Sequence, residues 1–328
     1  MRSLRRLLIL GFCALVACGP KSTMNTLEVH SDLTRSILDV YGRIFWWTVL
    51  LFLVVQGGLL YVVMRYRAKG TETTLPEQVH GNLRLEVAWT VVPVFILLHI
   101  AIPTVAAIFD SQGEAEEGAL RVNAVGKQWW FAFEYPEEGV VTANELHVPL
   151  GREVEIRLQS DNVIHAFWVP QLAAKRDMIP GRVNRLKFKA EKVGEYLGQC
   201  AEYCGDSHAL MQMRVHVDTP EDFARWLEAQ AAPAATPATD PGFLVFQQAG
   251  CGACHAIAGT PAVATIGPDL THVGSRGTIA SGILENDEAN LRRWLADPPA
   301  VKPGSKMPKL NLSEDQVRTL ATWLGTLK

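Results

Sequence analysis

The chain has 328 residues, a formal net charge of -3, 20% charged residues and 48% hydrophobic residues. That length predicts two or three domains, and the balance excludes both long disorder and a polybasic nucleic-acid binder as readings of the whole chain. A mean hydropathy of +0.09 lies between soluble and polytopic proteins, which points to a few membrane spans carrying soluble domains.

The first predicted element is an export signal over residues 1–17. Arg2, Arg5 and Arg6 precede an apolar run from Leu7 to Ala17 that is too short to span a bilayer. It ends Leu15-Val16-Ala17-Cys18, which resembles the lipobox of bacterial lipoproteins. That resemblance implies cleavage before Cys18 and acylation of its thiol; the competing reading is an ordinary signal peptide, or one retained as an anchor. An N-terminal segment, 18–43, leads to a first span at 44–64. It is uncharged, with Trp46 and Trp47 near one end and Tyr61 near the other. A second uncharged span follows at 87–109, and its Pro93 and Pro103 are tolerable where neighbouring helices satisfy freed carbonyls. The loop between them, 65–86, carries Arg65, Arg67, Lys69 and Arg84, whereas Asp110, Glu114, Glu116 and Glu117 follow the second span. Positive residues favour the cytoplasm, so the loop is expected inside and both termini outside.

Residues 119–218 change to short alternating runs. Val154, Ile156 and Leu158 alternate with polar residues, and Met211, Met213, Val215 and Val217 do the same. Gly, Pro, Asn and Asp punctuate the runs, which predicts a small β sandwich or barrel. A linker is expected over 219–240, its Ala/Pro/Thr-rich stretch from Glu228 to Asp240 extended. Residues 241–328 read as helices joined by loops. One helix is predicted over Glu288–Ala296, and another follows the cap-like Ser313-Glu314-Asp315-Gln316 to Leu324.

Cys251-Gly252-Ala253-Cys254-His255 is a C-x-x-C-H run. Thiols at this spacing can form thioethers to the two haem vinyl groups, and the adjacent histidine can ligate the iron. A zinc site would need a second ligand pair, and no cysteine follows Cys254. After His255 the candidates for a sixth ligand are Met307 and His272. Met307 lies in a polar, Pro-bounded loop, which weakens a core-packing reading. The module resembles a class I cytochrome c, in which a Gly-Pro-x-Leu run, here Gly267-Pro268-Asp269-Leu270, supports the proximal histidine. That resemblance maps the distal ligand to Met307.

The other close cysteine pair lies in the run from Cys200 to Met211, with Cys204 and His208 between, and His165 lies upstream. Two thiolates, two imidazoles and a thioether select copper over hard cations. A mononuclear blue-copper site uses one cysteine, so the second thiolate makes sense if both sulfurs bridge two coppers. A Cys200–Cys204 disulfide is the competing reading, and Met213 and Met178 are alternative thioethers.

With these residues, the segment 24–218 resembles subunit II of a haem–copper cytochrome c oxidase. The resemblance implies one copper bound by His165, Cys200, Cys204 and Met211, and another by Cys200, Cys204, His208 and the backbone carbonyl of Glu202. The Glu202 carboxylate would face a magnesium site shared with subunit I. Glu86 falls where the family has a glutamate at the mouth of a proton channel, and the charged segment from Lys175 to Arg182 matches a loop below the copper site. Trp129, in Gly126-Lys127-Gln128-Trp129-Trp130-Phe131, matches the tryptophan that receives the electron from cytochrome c. On spacing alone that aromatic run reads as hydrophobic core. Asn162 stands where many members have Asp, a departure that bears on charge around the copper ligands.

The expected fold is therefore multidomain: a two-helix transmembrane hairpin, an all-β cupredoxin-like domain and an all-α cytochrome c domain. The expected function is the subunit II of a cytochrome c oxidase, relaying electrons from a donor through covalent haem c and binuclear copper to subunit I, for oxygen reduction coupled to proton translocation. Expected partners are subunit I and the other oxidase subunits, the lipid bilayer of the bacterial inner membrane, and cytochrome c or a quinol–cytochrome c reductase as donor, with both redox domains periplasmic. The alternatives are a subunit of a related nitric oxide reductase, or a stand-alone membrane electron-transfer protein. The cytochrome segment has eight basic and seven acidic residues from Asp269 on, so docking by net charge is not expected there.

Overall fold

The computed structural model describes residues 23–68, 70, 78, 80–234 and 239–328. The expected signal peptide and Cys18 lie outside them. One unit, residues 35–113, holds most of the hairpin; the rest of the described chain forms a second unit.

The two spans sit within longer helices, α1 (Asp32–Arg65) and α2 (Leu83–Gln112). Both carry exposed apolar side chains along their length, the surface a helix presents when its solvent is lipid. Asn82 caps α2 by accepting from the backbone N–H groups of Arg84 and Leu85. Within the hairpin the rings of Trp47 and His99 meet edge to face at 5.9 Å.

The β domain is a sandwich of two five-stranded sheets. One sheet runs β3 (Val140–Ala143), β2 (Trp130–Tyr135), β1 (Leu120–Lys127), β5 (Glu153–Ser160), β8 (Asn184–Lys189). The other runs β4 (Glu145–Pro149), β10 (Gln212–Asp218), β9 (Gly194–Cys200), β6 (His165–Val169), β7 (Ala173–Met178). The expected alternation is visible in burial: Val154, Ile156 and Leu158 of β5, and Met213, Val215 and Val217 of β10, point inward. Phe131, Phe133 and Tyr135 of β2 are fully buried with them, each such side chain contributing roughly 1.5–3 kcal/mol.

The expected extended linker starts later than its composition suggests. Thr219 caps a helix α3 (Pro220–Ala231) that takes in the first residues of the Ala/Pro-rich stretch. Phe223 and Trp226 explain it: both pack on the sandwich, Trp226 stacking on His147 at 4.2 Å, so tertiary burial overrides a weakly periodic sequence.

The C-terminal domain packs α4 (Pro241–Gln248), α5 (Glu288–Ala296) and α7 (Glu314–Leu324), with a short α6 (Pro298–Val301) before the Met307 loop. The predicted capping box forms, with Ser313 accepting from the Gln316 N–H and Gln316 accepting from the Ser313 N–H. α4 and α7 cross through Phe243, Phe246 and Trp323. A Cβ on Gly242 would stand 2.1 Å from that of Trp323, so the crossing requires glycine.

Candidate copper and haem sites

The copper-ligand candidates converge at one end of the sandwich. β6 starts with His165, β9 ends with Cys200, and the loop from Cys204 turns back through a 3-10 turn (His208–Leu210) to Met211. Cys200 Sγ lies 3.8 Å from His165 Nδ1, 3.7 Å from Cys204 Sγ and 3.2 Å from the Glu202 carbonyl oxygen. Cys204 Sγ lies 3.6 Å from His208 Nδ1 and 3.9 Å from Met211 Sδ. Both cysteines are free, so the disulfide reading is not what the structure shows. Met211 is the thioether at the site, while Met213 and Met178 are core residues of the sandwich.

The histidine is oriented for ligation. His165 Nε2 donates to Asn162 Oδ1 at 3.0 Å, which leaves Nδ1 facing the sulfurs. The departure to Asn162 thus preserves an acceptor while omitting a charge. Gly126 presses on the ring: a Cβ there would stand 2.7 Å from His165 Cδ2. The hydrogen bond to Cys204 pulls the Cys200 thiol down to about 3, with His165 assisting, and the same bond with burial pushes Cys204 up. The two shifts run in opposite directions because the sulfurs lie close enough to share one proton.

The haem candidates line a cavity of about 680 Å³ in the C-terminal domain. Cys251, Cys254 and His255 are on its wall, and so is Met307. His255 Nδ1 donates to the Pro268 carbonyl at 2.7 Å, leaving Nε2 as the ligating atom, and burial lowers its pKa toward the neutral form that binds iron. His272 is engaged elsewhere, donating to the Ala232 carbonyl at 2.9 Å, and is not on the wall. Arg276 lines the same cavity with its Nε buried and unpartnered. Its Nη2 already donates to the Asp269 carbonyl at 2.6 Å, so the open donor is Nε, and that fits a group that brings carboxylates, as haem does in its propionates.

One wall of this cavity comes from the β domain. Trp129, only 6% exposed, lines it, and its indole N–H donates to the Cys204 carbonyl at 3.0 Å; Gln128 donates to the same carbonyl at 2.7 Å. Phe131, Phe133, Tyr135 and Trp129 all belong to the sandwich core, but Trp129 lies at its edge, where its indole also lines the cavity and reaches the Cys204 carbonyl. Sequence reasoning missed Gln128, Arg276, Ser281 and Lys302 around this wall. Lys302 and Arg276 counted only among the eight basic residues, Gln128 stood only inside the aromatic run, and no local pattern marks Ser281.

Three family models match the chain: the transmembrane domain of cytochrome c oxidase subunit II over residues 22–107, its periplasmic domain over 138–217, and cytochrome c over 239–328. Subunit 2 of the cytochrome c oxidase of Alkalihalophilus pseudofirmus is 33% identical over 323 residues, covering 96% of this chain and 94% of that one. The chain belongs to the cytochrome c oxidase subunit II family. Subunit 2 of the Bacillus subtilis cytochrome c oxidase is 32% identical over 358 residues, covering 99% of this chain and 98% of the relative. Among solved structures, the periplasmic domain of subunit II of the Bradyrhizobium japonicum cytochrome oxidase is 33% identical, covers 36% of this chain and 96% of that one, and has a TM-score of 0.34. This subunit II is thus a membrane-anchored part of a cytochrome c oxidase, with a periplasmic domain bearing a copper site of the binuclear type at His165, Cys200, Cys204 and Met211, and a fused cytochrome c domain.

Proposed function

We propose that this subunit II is the electron-receiving arm of its oxidase, and that haem c and a copper pair are held in sequence by its two periplasmic domains. When bound, these groups supply reversible one-electron storage, the chemistry by which a cytochrome c oxidase carries electrons from a donor to subunit I for oxygen reduction coupled to proton translocation. The observation that supports this order is Trp129. It forms part of the wall of the cavity that holds Cys251, Cys254, His255 and Met307, and it donates to the backbone of Cys204.

Cys251 and Cys254 would anchor the haem covalently, His255 and Met307 would hold its iron, and Arg276 would offer a donor to its carboxylates. Cys200, Cys204, His165, His208, Met211 and the Glu202 carbonyl would together hold the copper pair. The Glu202 side chain is exposed, as a carboxylate offered to a magnesium shared with subunit I requires. Glu86 is exposed in the first turn of α2, accepting from the Asn82 N–H at 3.3 Å, and is free to serve at the mouth of a proton channel. The domain limits proposed from the sequence, with Cys18 as a lipidated N-terminus, complete the reading.

Cys204→Ser in the purified complex tests it. The seven-line mixed-valence paramagnetic signal should vanish and copper per chain should fall, while haem c is still reduced by the external donor and the oxidase haems are not. Retention of the seven-line signal would refute the shared-thiolate site.

A further inference from the structure

Lys302 follows α6 directly and caps it, its backbone N–H donating to the carbonyl of Pro298, the first residue of that helix. Its side chain bridges the cytochrome domain and the β domain. Nζ donates to the Trp129 carbonyl at 2.5 Å and to Ser281 Oγ at 2.6 Å, with the Ala280 carbonyl at 3.5 Å. Ser281 Oγ donates to the same Trp129 carbonyl at 2.6 Å. Only 4% of Lys302 is exposed. Burial lowers its pKa to about 7 against the attraction of Cys204. A buried ammonium held by neutral acceptors is costly for stability alone, and such violations concentrate at functional sites.

The residues that follow continue the contact. The Pro303 carbonyl accepts from Ser207 Oγ, in the loop between Cys204 and His208. Gly304 lies so close that a Cβ would stand 2.9 Å from Trp129 Cη2 and 2.9 Å from Asp206 Cβ. Lys306 Nζ stands 5.4 Å from the Trp129 ring centroid, a cation–π contact. Met307 is next. The loop that carries the candidate haem ligand therefore rests on the tryptophan and on the loop that carries the copper ligands. Away from the loop, the Glu145 carboxylate accepts from the Thr278 N–H at 2.8 Å and adds a second attachment between the domains.

We propose that Lys302 is a positioning residue, a latch that seats the Met307 loop on Trp129 and holds the fused cytochrome domain against the copper loop. The inference rests on the relay reading above. A tether alone confines the cytochrome to roughly millimolar effective concentration near its acceptor. The latch replaces that search with one geometry, and positioning losses of about 1 Å can cost up to about a hundredfold in rate.

The test uses the purified oxidase complex with Lys302→Met, which keeps an unbranched apolar stem and removes the ammonium. Haem attachment, the sulfur-to-iron optical band and the copper paramagnetic signal should be unchanged. Hydrogen exchange at 126–130 and 302–307 should rise by about fivefold or more, and haem c to copper transfer should slow by about fivefold or more. Both quantities staying within about fivefold of the parent would overturn the latch. Should this variant fail to mature, Gly304→Ala, which wedges the loop off Trp129, is read by the same two measurements and thresholds. A parent complex with no haem-to-copper transfer would overturn the relay itself; a transferring parent with unaffected variants overturns the latch alone.

Discussion

Gly267→Ala is the sharpest test of how the chain holds its proximal ligand. Gly267 precedes the proline whose carbonyl orients His255, and its N–H donates to the Cys254 carbonyl at 2.7 Å. A Cβ there would stand 2.6 Å from His255 Cε1, 2.8 Å from Nδ1 and 3.0 Å from Nε2. Ordinary carbon contacts begin near 3.5 Å, so the ring or the loop must shift by about 0.9 Å. Either shift strains the Nδ1–Pro268 hydrogen bond, already at 2.7 Å. Overpacking costs about 1–3 kcal/mol and a weakened hydrogen bond about 0.5–1.5 kcal/mol, together about 1.5–4.5 kcal/mol. In a domain of about 90 residues each kcal/mol moves Tm by about 4–8 °C, so the cytochrome domain should melt roughly 6–36 °C lower. Haem should stay covalently attached, since both cysteines are untouched, but its low-spin spectrum and midpoint potential should shift. Calorimetry and a redox titration on the full chain read both. A variant with Tm within about 3 °C of the parent and an unchanged spectrum would refute the steric argument.

The copper end has the matching glycine: Gly126→Ala places a Cβ 2.7 Å from His165 Cδ2, and copper affinity should fall by about tenfold or more, read as copper per chain at fixed free copper. Full occupancy with a normal paramagnetic signal would show that His165 is not held this way. Met307→Ala should keep haem attached, abolish the sulfur-to-iron band and lower the potential; an intact band rejects Met307 as the ligand. The metal-free chain should retain one thiolate as pH falls from 8 to 5, because Cys200 is held down to about 3 while Cys204 is pushed up. Ultraviolet thiolate absorbance measures it, and loss of the whole signal with an ordinary thiol midpoint near 8.5 would contradict the shared-proton geometry.

Much of this architecture could be read residue by residue. An uncharged run long enough to cross a bilayer has few other fates in a chain of this composition, so both spans were legible, although α1 begins at Asp32, well before the apolar run. The helix continues there because backbone hydrogen bonding does not stop where the hydrocarbon does. The ligand sets were legible because metals and haem demand particular atoms at short spacings, as in C-x-x-C-H or in Cys200, Cys204, His208 and Met211. Helix α3 was not, because its stability comes from burying Phe223 and Trp226 on a sandwich far away in sequence.

Sequence alone decided the chemistry: which sulfurs and imidazoles are available, how many membrane helices, and which families the segments resemble. Tertiary structure decided everything that depends on two distant segments meeting. It chose Met211 over Met213, it brought the indole N–H of Trp129 onto the Cys204 carbonyl, and it turned Lys302 from an ordinary basic residue into a bond between domains. Local spacing encodes which atoms a short segment can bring together; which distant surfaces come to rest on one another is settled only when apolar burial packs the whole chain.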